Sequence, residues 1–400
     1  MPRQQRIPRN IWVLSLTSFL RDVASEMLVH LVPLFLANVL GIRTGIIGLI
    51  EGVSETTASV MKLYSGWFSD KLGRRKELTV AGYGVAALAM PLLLVARSWP
   101  VVLLYRFLDR LGKGVRTAPR DALIADSIGP EHRGIAFGLH RAADTGGAFV
   151  GLLLAMLVVW RTQLGQLALS QEAFRTVVAW ALIPATLAVV VVALGVREVT
   201  KPRAKETAPP RLTLHNLGRP FRRLLVVIVL FTLGNSTDAF LVLRAQRAGV
   251  SVIMVLAMIA GFNLVYSLLA TPAGALSDKI DRRQVVIGGW LLYALVYLGF
   301  AWAGKPWHFW LLYGLYGVYY AMTEGVAKAL VADFVPADRR GAAYGAYHAA
   351  VGLTVLPASV IAGVLWQGIG PWSGFGPAAP FLFGSALAFF ASILLWTWVK

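Results

Sequence analysis

The 400-residue chain has no cysteine. That excludes disulfides, thiol catalysis and Cys-ligated metal. Charge is scarce: 14% of residues are charged, against about 25% in a typical soluble domain. Acidic residues are scarcer still, with 20 Asp and Glu facing 38 Lys and Arg. No Gly-x-x-x-x-Gly-Lys-Ser/Thr phosphate loop occurs, so nothing in the chain reads as a nucleotide site. No His-x-x-x-His pair or nucleophile–base constellation occurs either. An enzyme, a resident metal and a cofactor are therefore not expected. No cleavable leader is visible: the first apolar segment runs from about Ile11 to Leu40, longer than a signal-peptide core, with no small-residue cleavage pattern after it.

What fills the chain instead is apolar sequence, 57% of it hydrophobic. Long apolar segments fall near 11–40, 45–68, 78–97, 100–126, 134–160 and 174–196. They continue near 224–246, 250–276, 285–303, 308–333, 342–367 and 378–399. A bilayer core needs roughly 20 apolar residues per helical span. Runs this long are helices, because backbone groups in lipid must be satisfied within the segment. The expectation is an all-α membrane protein of twelve transmembrane helices.

The net charge of +18 would suggest nucleic acid in a soluble protein. Here its distribution argues for topology. About twenty-two Lys and Arg fall on one side of the twelve spans and about six on the other. The crowded side holds Arg3, Arg6 and Arg9, the Lys71–Lys76 cluster, the 197–223 stretch, Lys279, Arg282, Arg283, Arg339 and Arg340. The sparse side holds Arg43, Arg97, Arg161, Arg175, Arg247 and Lys305. This bias puts both termini in the cytoplasm of a multi-pass inner (plasma) membrane protein, with no nucleic-acid partner.

The chain also repeats. Gly66-Trp-Phe-Ser-Asp70-Lys-Leu-Gly73-Arg74-Arg75-Lys76 returns as Gly274-Ala-Leu-Ser-Asp278-Lys-Ile-Asp281-Arg282-Arg283-Gln284. Asp121-Ala-Leu-Ile-Ala-Asp126 matches Lys328-Ala-Leu-Val-Ala-Asp333, and Arg133-Gly134-Ile-Ala-Phe-Gly138 matches Arg340-Gly341-Ala-Ala-Tyr-Gly345. Two six-helix halves in parallel orientation follow, 1–196 and 224–400, with substrate expected between them near mid-membrane. The 197–223 stretch, with Pro202, Pro209, Pro210 and Pro220 among Lys and Arg, reads as a basic cytoplasmic linker.

On these residues the chain resembles the major facilitator superfamily over essentially its whole length. Residues 66–76 resemble that family's signature between its second and third helices, Gly-x-x-x-Asp-Arg/Lys-x-Gly-Arg-Arg/Lys; the second copy carries Asp281 where the pattern has Gly. Arg106-Phe107-Leu108-Asp109 partly resembles the fourth-helix signature of proton-coupled members, with Asp109 and Arg110 in place of Gln and Gly. Gly147-Ala-Phe-Val-Gly151 lacks the Pro of the drug-exporter signature. Ser25-Glu26 and Arg116–Asp121 resemble a bacterial and archaeal branch. The resemblance implies a secondary active transporter, a monomer, working by alternating access on a small-molecule substrate.

Ionisable groups at mid-bilayer cost about 2.5–3.5 kcal/mol on insertion scales, yet this chain carries many. Asp22, Glu26 and His30 lie four residues apart beside Arg21, on one helical face. Asp22 is roughly 16 Å from the start of its segment at 1.5 Å per residue. Two readings stand: a proton and substrate site, or a buried ion pair to another helix. Glu51 and Glu55 either bind a cation or proton or pair with Arg21. Arg106, Asp109, Arg110, Lys113 and Arg116 follow at helical spacings, as a proton-transfer group or an ion-pair ladder. The resemblance puts Arg106 at the place linked to proton transfer. Arg116, Arg120 and Asp121 read as interfacial. Arg141 and Asp144 have the spacing of a mutual pair, with His140 nearby. The second half offers Asn235, Asp238, Asn263, His348, and Glu324 with Lys328 at salt-bridge spacing. Tyr316, Tyr319, Tyr320, Tyr344 and Tyr347 either wall a cavity or pack.

The repeated loop reads as a cytoplasmic gate. The resemblance implies that Asp70 caps a helix of the other half and that Arg74 pairs with Asp126. Asp278, Arg282 and Asp333 would be the second copy, with Gly66 allowing close helix approach. These contacts would favour an outward-open state. The leading expectation is proton-coupled export of a small amphipathic or cationic compound, because Asp22, Glu26, Glu51 and Glu55 fall in the outer half. Import or exchange of an anionic metabolite through Arg21, Arg106, Arg110 and Lys113 is the alternative.

Overall fold

A computed structural model describes residues 7–129, 132–163, 166–199, 218–335 and 340–399. Arg3, Arg6, Arg339 and most of the linker, with Pro202, Pro209 and Pro210, lie outside the described residues, as do the side chains of Asp70 and Arg340. Among the described residues there are helices and no strands. They are α1 (Arg9–Val29), α2 (Leu31–Leu34), α3 (Thr44–Leu72), α4 (Arg75–Ala89), α5 (Trp99–Asp126), α6 (Arg133–Thr162) and α7 (Gln171–Gly195). They continue with α8 (Arg219–Gly234), α9 (Ala239–Arg247), α10 (Val252–Lys279), α11 (Arg282–Trp302), α12 (Pro306–Asp333), α13 (Arg340–Gln367) and α14 (Ala379–Thr397).

These helices form the twelve expected spans, three of them interrupted. The first continues from α1 through α2 into a π-helical turn, Phe35–Val39; Pro33 lies in this stretch and supplies no N–H to the helical ladder. The third tightens into a 3₁₀ turn at Met90–Leu93, around Pro91. The seventh breaks outright between α8 and α9, where Asn235, Ser236, Thr237 and Asp238 favour local side-chain bonding over helix. Eight of the spans are long and apolar enough to cross a bilayer by composition alone. The others carry the charges of α3 and α5, the short α4, or the tyrosines of α12.

Large apolar side chains point outward: Leu88, Leu194, Leu295 and Trp302 are each more than half exposed. A soluble protein of this size would not present so many; a bilayer covers them. Lipid gives helices little hydrophobic reason to associate, so close approach through small residues matters.

The contacts divide the chain into two compact units. One draws on Met1–Phe35, Thr57–Leu164 and Leu169–Pro210; the other on Leu36–Thr56, Gly165–Ala168 and Arg211–Lys400. In the first, α1 packs on α6 and α7, and α4 on α5 and α7. In the second, α8 packs on α13 and α14, and α11 on α12 and α14. These four pairings correspond between the units, as expected of a parallel repeat.

The units differ from the division at the linker in two stretches, the short Gly165–Ala168 and a longer one that includes the start of α3. Residues 36–56, first half by sequence, belong to the second unit. The physical reason is a glycine face on α3. A Cβ on Gly48 would collide with the Ser359 carbonyl, and one on Gly52 would lie 2.8 Å from the Leu356 Cα. Only glycine lets α3 lie this close to α13. Thr44 extends the seam, its backbone N–H donating to Gln367 Oε1 at 2.8 Å and its hydroxyl to the Gly363 carbonyl at 3.1 Å.

Candidate functional site

In the first unit, Gly147 and Gly151 of α6 bring that helix against the Phe19 and Val23 carbonyls of α1. This approach carries the charged face of α1 towards α5 and α6. Arg21, 2% exposed, donates to Asp109 of α5. The second Asp109 oxygen lies 3.8 Å from Arg110 Nε, and Arg106 is buried one turn earlier. Arg21 thus takes Asp109 as its ion-pair partner, and Glu51 and Glu55 belong to the other unit. With them there, the four carboxylates Asp22, Glu26, Glu51 and Glu55 do not form one cluster within a unit.

Two His–carboxylate pairs follow at one-turn spacing. His30 Nε2 is 3.4 Å from Glu26, and His140 Nδ1 is 3.2 Å from Asp144. Asp144 thus pairs with His140, and Arg141, whose spacing suggested it, is exposed. Asp22 is half-buried, and among the described residues its carboxylate makes no ion pair. The charged groups in its field are Asp144 from α6, Lys113 and Arg116 from α5, and Glu26 from its own helix. Lys113 and Arg110 also act on Glu26. Asp22, Glu26, Asp144 and Lys113 are thus one patch built by three helices, beside the closed Arg21–Asp109 pair.

Arg116 and Arg120 are more deeply engaged than an interfacial position implies. The Arg116 guanidinium lies 4.5 Å from the Tyr83 ring of α4, a cation–π contact. Arg120 donates to Asp121 at 3.0 Å and to the Ser18 hydroxyl at 3.2 Å. Tyr83 was not legible as a site residue: a lone tyrosine in an apolar helix gives no signal until α4 and α5 are paired.

In the second unit, the break between α8 and α9 presents Asn235 and Asp238 to an aromatic cluster. Tyr316 donates to Asp238 at 2.8 Å. Tyr293 donates to the Gly234 carbonyl at 2.9 Å, supplying a partner at the interrupted helix end. Asn235 donates to Tyr319 at 3.4 Å. Tyr293 and Tyr297 stack at 4.0 Å, and Tyr316 and Tyr320 meet edge-on at 5.1 Å. Tyr316 and Tyr319 are buried in this packing, while Tyr344 donates to the Lys328 carbonyl. Glu324 is exposed and held by Lys328 at 2.7 Å. Tyr293 and Tyr297 are additions the sequence did not single out; the run Gly234–Asp238 inside an apolar segment was the available signal for the break.

The repeated loops form corresponding ion pairs, each within its own unit. Arg75, rather than Arg74, pairs with Asp126, while Arg74 turns to Glu77 at 3.3 Å. In the second copy, Arg282 bridges Asp333 at 2.7 Å and Asp278 at 3.0 Å. Gly66 meets only Ala118, at ordinary van der Waals distance, so close approach is not its role. It falls instead to glycines such as Gly82, where a Cβ would lie 2.6 Å from that of Arg116. The expected capping by Asp70 lies outside the described residues.

The family model of the Major Facilitator Superfamily matches residues 14–262 and 237–400. An uncharacterised MFS-type transporter of Methanocaldococcus jannaschii, MJ1317, is 34% identical over 397 residues, 98% of this chain and 95% of its own. The multidrug resistance protein MdtH of Aeromonas hydrophila is 30% identical over 152 residues, 38% of either chain. The crystal structure of the nucleoside transporter NupG superimposes with a TM-score of 0.78 at 13% identity, covering 97% of this chain and 99% of that one. Twelve spans, packing pairs that recur in both units, duplicated loop ion pairs and these matches lead to one conclusion: the chain belongs to the major facilitator superfamily and is a multi-pass membrane transporter rather than an enzyme.

Proposed function

We propose that the chain is a proton-coupled secondary transporter working by alternating access, and that the patch of Asp22, Glu26, Asp144 and Lys113 carries the coupling. The observation behind this is the contrast between two carboxylates. Asp109 is enclosed by Arg21 and Arg110. Asp22 has no such partner and sits among two other carboxylates and Lys113. Like charges disfavour ionisation and a nearby cation favours it, so this group can exchange a proton as its surroundings change. Conversion between open states then follows the differential affinity of each state for proton and substrate. Asp238, tied to Tyr316 beside a broken helix, is the corresponding polar point of the second unit.

The first reading for cargo is export of a small cationic or amphipathic compound. Carboxylates that can empty of protons suit a cation, and the partial likeness to MdtH leans the same way. Import or exchange of an anion would recruit Arg21, Arg106, Arg110 and Lys113; Arg21 and Arg110 already flank Asp109, which weakens that reading. The loop pairs Arg75–Asp126 and Arg282–Asp278–Asp333 would act as cytoplasmic latches, with both termini on that side of the plasma membrane and a monomer as the working unit.

Proton flux in proteoliposomes loaded with a pH dye tests the coupling. With cationic compounds added, the wild type should move protons and Asp22→Asn should not, while still folding. If Asp22→Asn transports normally, the coupling assignment is wrong. If only anions drive flux, the cargo reading is.

A further inference from the structure

A crevice of about 470 Å³ opens in the second compact unit, and no residue of the tyrosine cluster lines it. It is walled by Asn38 from the π-helical turn, Thr44 of α3, Gln246 and Arg247 of α9, and Trp366 and Gln367 of α13. Two of these side chains carry buried donors with nothing to bond. The Trp366 indole N–H is unpartnered in a residue only 3% exposed, and the Asn38 amide nitrogen is buried and unpartnered as well. A buried donor left unpaired costs about 1–3 kcal/mol, and native structures leave few of them. Two on the walls of one crevice point to a bound group that accepts.

The remaining lining sets the chemistry. Arg247 is exposed and, among the described residues, has no carboxylate partner. The Gln367 carbonyl oxygen already accepts from Thr44, at 2.8 Å from its N–H and 3.3 Å from its hydroxyl. What Gln367 still offers is its amide N–H groups. No Asp or Glu lines the crevice. An indole N–H only donates, and a guanidinium donates with a fixed positive charge. The site therefore offers donors and a cation.

We propose that this crevice binds an oxyanion, a carboxylate or phosphate group, with Arg247 supplying charge and the Trp366 and Asn38 donors fixing its orientation. The crevice sits at the helix ends opposite the basic loops, so on the proposed topology it faces outside. An occupant would tie α9 to α13 beside the Thr44–Gln367 bond and so hold that end of the unit together. The oxyanion can come from a free small molecule or from a phospholipid headgroup.

Thermal unfolding of the full chain in detergent, titrated with inorganic phosphate or citrate against chloride at matched ionic strength, tests the free-anion source. A ligand that binds only the folded state raises the midpoint with the logarithm of its concentration once that exceeds Kd. Trp366→Phe keeps an aromatic ring and removes the donor; Arg247→Gln changes an exposed side chain. Each should weaken the apparent affinity about tenfold, while Arg43→Gln, which lies outside the crevice lining, should not. In the second arm, native mass spectrometry compares phosphatidylglycerol with phosphatidylcholine in nanodiscs. Phosphatidylglycerol retained by the wild type and lost in Arg247→Gln, with free anions silent, assigns the headgroup as the source. Silence of phosphate, citrate and phosphatidylglycerol alike overturns the proposal. So does a response that Trp366→Phe and Arg247→Gln both leave unchanged.

Discussion

Arg21 and Asp109 show what one residue decides in a low-dielectric interior. Both are buried, and each is the other's ion-pair partner across α1 and α5. Removing one member strands the other charge, which typically costs about 3–5 kcal/mol, whereas apolar replacement of both is often neutral. Asp109→Asn should therefore lower the thermal midpoint in detergent sharply, and Arg21→Met combined with Asp109→Leu should recover most of the loss. Transport in the double variant separates the roles. If it folds but moves no substrate, the pair also serves the cycle. If Asp109→Asn unfolds like the wild type, the pair is not structural. The sequence exposed both residues as candidates, because charge in an apolar run is conspicuous. It left their partner open, because pairing is set by which helices meet. Arg21 could have reached Glu51 or Glu55 by spacing alone, and the packing of α1 on α5 gives it Asp109.

At the scale of elements, the two loop copies solve one turn in two ways. Gly73 between α3 and α4 has φ +65°, which costs a non-glycine residue roughly 1–2 kcal/mol. Asp281 occupies the matching position with φ −56°, and its carboxylate accepts from the Arg283 N–H at 2.9 Å to cap α11. The departure from the repeat is thus a change of device, a left-handed turn exchanged for a helix cap. Substitution should be asymmetric: Gly73→Asp should destabilise by about 1–2 kcal/mol, Asp281→Ala by about 1 kcal/mol, and Asp281→Gly by much less. The hydrogen bonds from Arg283 hold the Asp281 carboxyl below the usual carboxylate range. Its contribution is complete above that range and disappears as pH falls through the lowered value. The gap between wild type and Asp281→Ala should therefore close in acid; a gap that persists there would mean the cap is not electrostatic. Span positions were legible because twenty apolar residues leave few alternatives. The breaks were less so. The interruption at Asn235–Asp238 depends on Tyr293 and Tyr316 reaching its freed backbone and side chain, a long-range fact that local sequence does not hold.

For the molecule as a whole, the repeat was the most readable feature, and the α3–α13 seam the least. Duplicated loops at a fixed offset announce two halves, but nothing local says that the first turns of α3 belong by contact to the second unit. Gly48 and Gly52 are ordinary in an apolar helix until Ser359 and Leu356 are brought against them. If the chain works by alternating access, a helix divided in this way is where the cycle must break contacts, because exposing a central site to either side requires one end of the halves to part. The absence of native cysteine makes this directly testable. Thr44→Cys with Gln367→Cys puts thiols on two side chains that meet at 3.3 Å in the wild type, on a background with no other thiol to react. Oxidation, or a short thiol-to-thiol reagent, should lock the seam and abolish substrate flux in proteoliposomes, and reductant should restore it. Each single-cysteine variant should be indifferent to oxidant. A cross-linked protein that carries substrate at the rate of its reduced form would mean that α3 and α13 travel together through the cycle, and the moving contact would have to be sought at the basic loops instead.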